Sequence, residues 1–184
     1  MDYIEAVDIK ILLFLIEHVH NPIIDHILYF FTTIGNKGLV WIIISVIMFI
    51  KRSTRKTGII MLFALLLGLI LGEIILKPTV GRLRPFLKYE GFESVISNLS
   101  PNSFPSGHTT SSFAASTVIF IKKIKFRMFY IILAFLIAFS RIYFTVHYPS
   151  DIVGGIILGL ICAYASTQIE KKVYNDKFIK SLYI

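Results

Sequence analysis

Long apolar runs separated by short polar and basic interruptions set the pattern of the chain. Residues 4–19, IEAVDIKILLFLIEHV, hold an uninterrupted apolar run only from Ile11 to Ile16. That run is too short to cross about 30 Å of hydrocarbon, so residues 1–21 predict an amphipathic, interfacial or re-entrant helix. Asn21 and Pro22 read as a helix start, and the apolar stretch that follows runs to Ile50 with a break at Gly35, Asn36 and Gly38. One long kinked span fits it, with two shorter helices as the alternative. Thr57 to Leu76 forms a span with one acid, Glu73, near its end. Residues 77–105, rich in Pro, Ser and Asn, predict the only long loop. Three more helical segments follow: Gly107 to Ile121, Met128 to Phe139 continuing to Tyr143, and Pro149 to Ile169. The expected fold is all-α: an integral membrane bundle of about five transmembrane helices, six if the kinked span is two, plus the N-terminal helix.

Composition agrees with this pattern. At 184 residues the chain predicts one domain, 1–184, and 55% hydrophobic residues with a mean hydropathy of +0.75 exceed what a water-soluble domain carries. The net charge of +8 does not indicate nucleic acid, because Lys and Arg sit in short clusters between apolar runs. The single cysteine, Cys162, lies in an apolar stretch and reads as packing. Asp2, Glu5 and Asp8 stand where a signal peptide would carry basic residues, so no removable signal is expected. Three basic clusters lie between spans: Lys51, Arg52, Arg55 and Lys56; Lys122, Lys123, Lys125 and Arg127; Lys171, Lys172, Lys177 and Lys180. Counting spans places all three on one side, predicted to be cytoplasmic. The 77–105 loop and the 141–150 turn then share the extracytoplasmic face of a multi-pass cell-membrane protein. Lys77, Arg82, Arg84 and Lys88 break the charge rule on that face, which suggests another task for them.

The same outer segments carry three blocks: Lys77-Pro-Thr-Val-Gly-Arg-Leu-Arg84-Pro85, then Pro105-Ser106-Gly107-His108, then Ser140-Arg141 followed by His147 and Asp151. Each alone is weak, and PSGH by itself could be a capping turn. Together, in order and on one predicted membrane face, they resemble the three-part signature of the type 2 phosphatidic acid phosphatase family, KxxxxxxRP, PSGH and SRxxxxxHxxxD, at every fixed position.

Physical chemistry supports the match. A transferring phosphoryl group needs cations and oriented N–H donors around its oxygens, with nucleophile and leaving-group acid in line. Lys77, Arg84 and Arg141 supply positive charge. Ser106 and Gly107 open a helix after Pro105, so their backbone N–H groups and the helix dipole are expected to bind the anion. The resemblance implies that His147 attacks phosphorus and becomes a phosphohistidine, that Asp151 holds its imidazole in the right tautomer, and that His108 exchanges protons with the leaving oxygen and the water. It implies no cofactor and no metal; the titratable residues form no carboxylate-rich metal cluster.

Other polar residues receive plainer readings. Arg82 reads as a solvated arginine facing headgroups, His18, His20 and His26 as interfacial, and Tyr143, Phe144 and Tyr148 as interfacial anchors. Glu73, four residues before Lys77, is expected to orient it. Gly68 with Gly72, Gly155 with Gly159, and the small residues of Thr109 to Thr117 predict close helix packing within one bundle.

The partners expected are a lipid phosphate or diphosphate and the bilayer, with no nucleic acid and no obligate protein partner evident. The resemblance points first to conversion of undecaprenyl diphosphate to undecaprenyl phosphate, with phosphatidylglycerol phosphate, phosphatidate or lipid A as alternative substrates and phosphotransfer to another lipid as an alternative reaction. Vanadium haloperoxidases share the site pattern, but the apolar spans disfavour them. A non-enzymatic anion-binding membrane protein is disfavoured by the intact His108, His147 and Asp151.

Overall fold

The computed structural model describes residues 3–175. Its helices are α1 (Tyr3–His18), α2 (Pro22–Ile34), α3 (Leu39–Ile50), α4 (Arg55–Gly68), α5 (Lys77–Val80), α6 (Pro85–Lys88), α7 (Gly107–Ile121), α8 (Arg127–Tyr143) and α9 (Pro149–Asn175). Among the described residues the only strand-like pairing is an isolated bridge between Leu83 and Asn102. Lys177 and Lys180 of the third basic cluster lie outside the described residues.

Among the described residues, two helices are long and apolar enough to cross a membrane: Arg52–Val80, which joins α4 to α5 through a π-helical stretch at Leu69–Leu76, and Pro149–Val173. The pair α2 and α3, bent by 46° at its break, makes a third if counted as one span. The expected total of about five is therefore not reached by length alone, since α7 has 15 residues and α8 has 17. At 1.5 Å per residue these rise only about 22 and 25 Å. The span bearing Glu73 also continues to Val80, so the long loop begins four residues later than expected and contains the short α6.

Sequence chemistry explains the elbow between α2 and α3. Asn21 Oδ1 accepts from the N–H groups of Ile23 (3.1 Å) and Ile24 (3.0 Å), and Pro22 fills the first helical position, so α2 starts sharply. At the other end Lys37 and Gly38 adopt left-handed backbone, with φ of 51° and 67°. Gly35 lies against the site: a Cβ there would stand 2.9 Å from His108 Cδ2 and 2.7 Å from Ile137 Cγ2. Glycine lets the elbow pass that close.

Helix α7 is the axis of the bundle, packed by α9, α8 and α4. Its small face is buried, including Thr109, Thr110, Ser112, Ala114, Ala115 and Ser116. The glycine pairs meet it: a Cβ at Gly159 would lie 2.8 Å from the Thr110 carbonyl oxygen, and one at Gly68 3.1 Å from Thr110 Cγ2. Backbones approach closely there because side chains are nearly absent. Apolar side chains of α3, α4, α8 and α9, such as Ile47, Leu66, Phe135 and Ile157, point outward instead. At the far end of α7, Lys122 pairs with Glu170 of α9 at 2.9 Å, tying two of the basic clusters to one end of the bundle.

Helix α1 reverses the expected amphipathic pattern. Ile4, Val7, Ile11 and Phe14 face outward, while Asp8 is buried beside Leu12 and Leu15. The acid turns inward because its partners are inside.

Candidate active site

His147 lies in the turn between α8 and α9, 2% exposed, with its N–H donating to the Arg141 carbonyl at 3.2 Å. Pro149 starts α9 as the sequence predicts, which places Asp151 in its first turn. Asp151 Oδ2 accepts from the backbone N–H of Tyr148 at 3.0 Å, a reciprocal cap that fixes the carboxylate, and lies 3.4 Å from His147 Nδ1. On the opposite side of the imidazole, Arg84 Nη1 lies 3.1 Å from Nε2. A guanidinium only donates, so Nε2 holds a lone pair and the proton sits on Nδ1, towards Asp151.

Arg84 is held rigidly: Nε donates to the Ser100 carbonyl at 2.6 Å and Nη1 to the Val146 carbonyl at 2.7 Å. Burial, then the charges of Arg84, Arg141 and Lys77, push the His147 imidazolium well below its ordinary pKa. Its neutral form is the stable one here.

The other cations come from different elements. Lys77, 7% exposed, donates from Nζ to Glu73 Oε1 at 2.6 Å, the i,i+4 pair that the sequence spacing predicts. Arg141, at the end of α8, donates from Nη1 to Thr32 Oγ1 of α2. Its buried Nε has no partner among the described residues, a donor suited to an added acceptor. His108, in the first turn of α7, lies 3.1 Å from Asn36 Oδ1 of the elbow.

A cavity of about 890 Å³ joins these groups. Its polar end is lined by Lys77, Arg84, Gly107, His108, Arg141 and His147, and its apolar flank by Ile42, Leu62, Leu65, Leu66 and Leu69. Six of the eight residues singled out from the sequence are thus brought together. Asp151 stands behind His147, and Ser106 stands behind the wall. The expectation for Ser106 is corrected: its backbone N–H donates to the Asp151 carbonyl at 3.2 Å, so it is not offered to an anion. Its Oγ instead accepts from the Thr109 N–H at 3.4 Å and the Thr109 hydroxyl at 3.0 Å, capping α7. At that helix start, Gly107 and His108 line the cavity.

Several plainer readings are also corrected. Arg82 is not solvated: it joins Asp8, Ser150 and Asp151 and lies 3.8 Å over the Tyr148 ring. Tyr148 and Tyr143 are fully buried and Phe144 nearly so, because Tyr143 and Phe144 pack with Leu28 and Val146, and Tyr148 with Leu12 and Phe92. Tyr143 donates to Asp25 Oδ1 at 2.5 Å and stacks on His20, whose Nε2 donates to the Tyr143 carbonyl at 2.8 Å. His18 and His26 are exposed. Asp8 and Asn36 escaped the sequence reading; an acid within an apolar helix was the available signal for the first.

The PAP2 superfamily matches residues 57–174, and the chain belongs to it. An undecaprenyl-diphosphatase from Sulfolobus acidocaldarius is 32% identical over 136 residues, 71% of this chain, and the chain spans 64% of that relative's length. Among solved structures, Aquifex aeolicus LpxE superposes with a TM-score of 0.78 at 28% identity, covering 91% of this chain and 99% of the other. A transmembrane PAP2-type phosphatidylglycerolphosphate phosphatase from Bacillus subtilis gives 0.74 at 26% identity, covering 96% and 90%.

Proposed function

We propose that the protein is a membrane lipid phosphatase that works through a phosphohistidine, with no metal, on the extracytoplasmic face of the cell membrane. The observation that carries this reading is the pairing of a buried neutral His147, its Nε2 lone pair beside Arg84, with His108 on the wall of one cationic cavity. His147 Nε2 attacks phosphorus while the leaving oxygen takes a proton from His108. Asp151 stabilises the charge gained at Nδ1. Water then attacks the phosphohistidine, giving its proton to His108, and free phosphate leaves with His147 restored. Lys77, Arg84, Arg141 and the backbone of Gly107 and His108 balance the charge on the phosphoryl oxygens.

The apolar flank of the cavity favours a lipid, with the headgroup at the polar end and the tail along Leu62, Leu65, Leu66 and Leu69. In this reading α7 and α8 complete a five-span bundle with the bent α2–α3 pair, which puts the basic clusters in the cytoplasm and the cavity mouth outside. Undecaprenyl diphosphate is the substrate favoured, on the strength of the Sulfolobus relative. Phosphatidylglycerol phosphate is the second reading, favoured by the Bacillus structure.

Phosphate release by the detergent-purified protein from undecaprenyl diphosphate, phosphatidylglycerol phosphate and phosphatidate tests the activity, its metal independence, the role of His147 and the choice of lipid. Release is expected to persist in EDTA, to vanish in His147→Ala, and to be fastest with undecaprenyl diphosphate. Metal-dependent release would overturn the mechanism, and no release from any lipid would overturn the function.

A further inference from the structure

Behind the cavity wall, Arg82 bridges two buried carboxylates from distant parts of the chain. Its Nη1 donates to Asp151 Oδ1 at 2.9 Å and to Ser150 Oγ at 2.7 Å, and its Nη2 donates to Asp8 Oδ2 of α1 at 2.8 Å. Asp8 closes the circuit: its Oδ1 accepts from the Ser150 N–H at 2.9 Å and its Oδ2 from the Ser150 hydroxyl at 2.5 Å. The side chains of Asp8 and Asp151 are 3% and 0% exposed, and the guanidinium lies 3.8 Å over the Tyr148 ring. Such a network is costly to build and is strong only when every member is satisfied.

Each contact falls on the oxygen that completes the geometry of Asp151. Oδ2 faces Tyr148 N–H and His147 Nδ1, so the bond from Arg82 to Oδ1 sets the rotation of the carboxylate about its own axis. Arg82 itself does not line the cavity. We propose that Arg82, anchored by Asp8, is a positioning residue that aligns Asp151 and through it the His147 imidazole, making α1 a structural part of the active site. This rests on the phosphohistidine reading above. A planar two-pronged donor is needed because one cation must reach two carboxylates in fixed directions. Lysine offers one point charge and spans the gap poorly.

The second latch of α1 separates alignment from simple docking. Glu5 pairs with Lys88 near the same helix but touches neither Asp151 nor Ser150. The test is a series in the full-length purified protein, with kcat and KM measured on the best lipid substrate and folding followed by thermal unfolding in detergent. Arg82→Gln is expected to lower kcat by about tenfold to a hundredfold, the range for a catalytic group displaced by an ångström, with KM within about twofold. Asp8→Asn should fall in the same direction by less, Arg82→Lys should restore part of the loss, and Glu5→Gln should match the wild type. Unchanged kcat in folded Arg82→Gln or Asp8→Asn overturns the inference. So does a rise in KM alone, which would make Arg82 a substrate contact, or a loss in Glu5→Gln equal to that in Asp8→Asn. If Arg82→Gln does not fold, Asp8→Asn and Arg82→Lys still decide. An inactive wild type would instead sink the phosphatase reading.

Discussion

At the scale of single residues, the proposed nucleophile is prepared by what surrounds it. His147 is buried and faced by three cations, and both effects disfavour its protonated form. An imidazole with a lowered pKa loses its proton at a lower pH, so in the proposed reaction attack persists into acid where an ordinary histidine would be blocked. Arg84 is the largest contributor after burial. Arg84→Gln is therefore expected to shift the acid limb of the kcat/KM profile to higher pH, besides lowering its height. A limb that stays in place or moves to lower pH would show that Arg84 does not set this ionisation.

Legibility at this scale was uneven. Lys77, Arg84, Gly107, His108, Arg141 and His147 were readable because each occupies a fixed place in a spaced motif, and the folded cavity gathers them. Ser106 was misread because a motif gives a residue and no direction; its N–H turned towards Asp151. Arg82 stood inside a motif without being one of its fixed positions, and Asp8 lies 74 positions away from it, so no local pattern joined them.

Elements were clearer in kind than in span. Apolar runs and caps announced the helices: Asn21 with Pro22 for α2, Ser106 for α7, Pro149 for α9. The outward surface of α1 could not be assigned from periodicity, since in a membrane the apolar face turns out and a paired acid can turn in. The glycine pairs were legible because close packing has a compositional cause. That packing gives a prediction proper to the element: Gly159→Ala would put a methyl 2.8 Å from the Thr110 carbonyl oxygen and 2.9 Å from the Ala114 nitrogen, both backbone atoms that cannot swing away. The α7–α9 contact is expected to loosen at a cost of about 1–3 kcal/mol, the range for overpacking a tight core. Thermal unfolding in detergent should show a lower midpoint; an unchanged one would mean that the two helices separate freely.

For the whole molecule, the distribution of charge and the placement of the cavity make one argument. The Lys122–Glu170 pair and the elbow of α2 and α3 lie at opposite ends of α7, because α7 begins at Gly107 beside the cavity and ends at Ile121 beside Lys122. If the basic clusters face the cytoplasm, the long loop over the cavity faces outward. Cysteine labelling tests this directly, since the only native cysteine, Cys162, is 1% exposed. Val95→Cys places a thiol in that loop at a position 72% exposed. Lys125→Cys places one at an exposed position in the turn between α7 and α8. A membrane-impermeant maleimide should label Val95→Cys in intact cells and Lys125→Cys only after permeabilisation. The opposite pattern would invert the topology and move the catalytic site to the cytoplasmic face. Labelling of both in intact cells would show that the two loops do not lie on opposite sides, and with them the five-span bundle would fall.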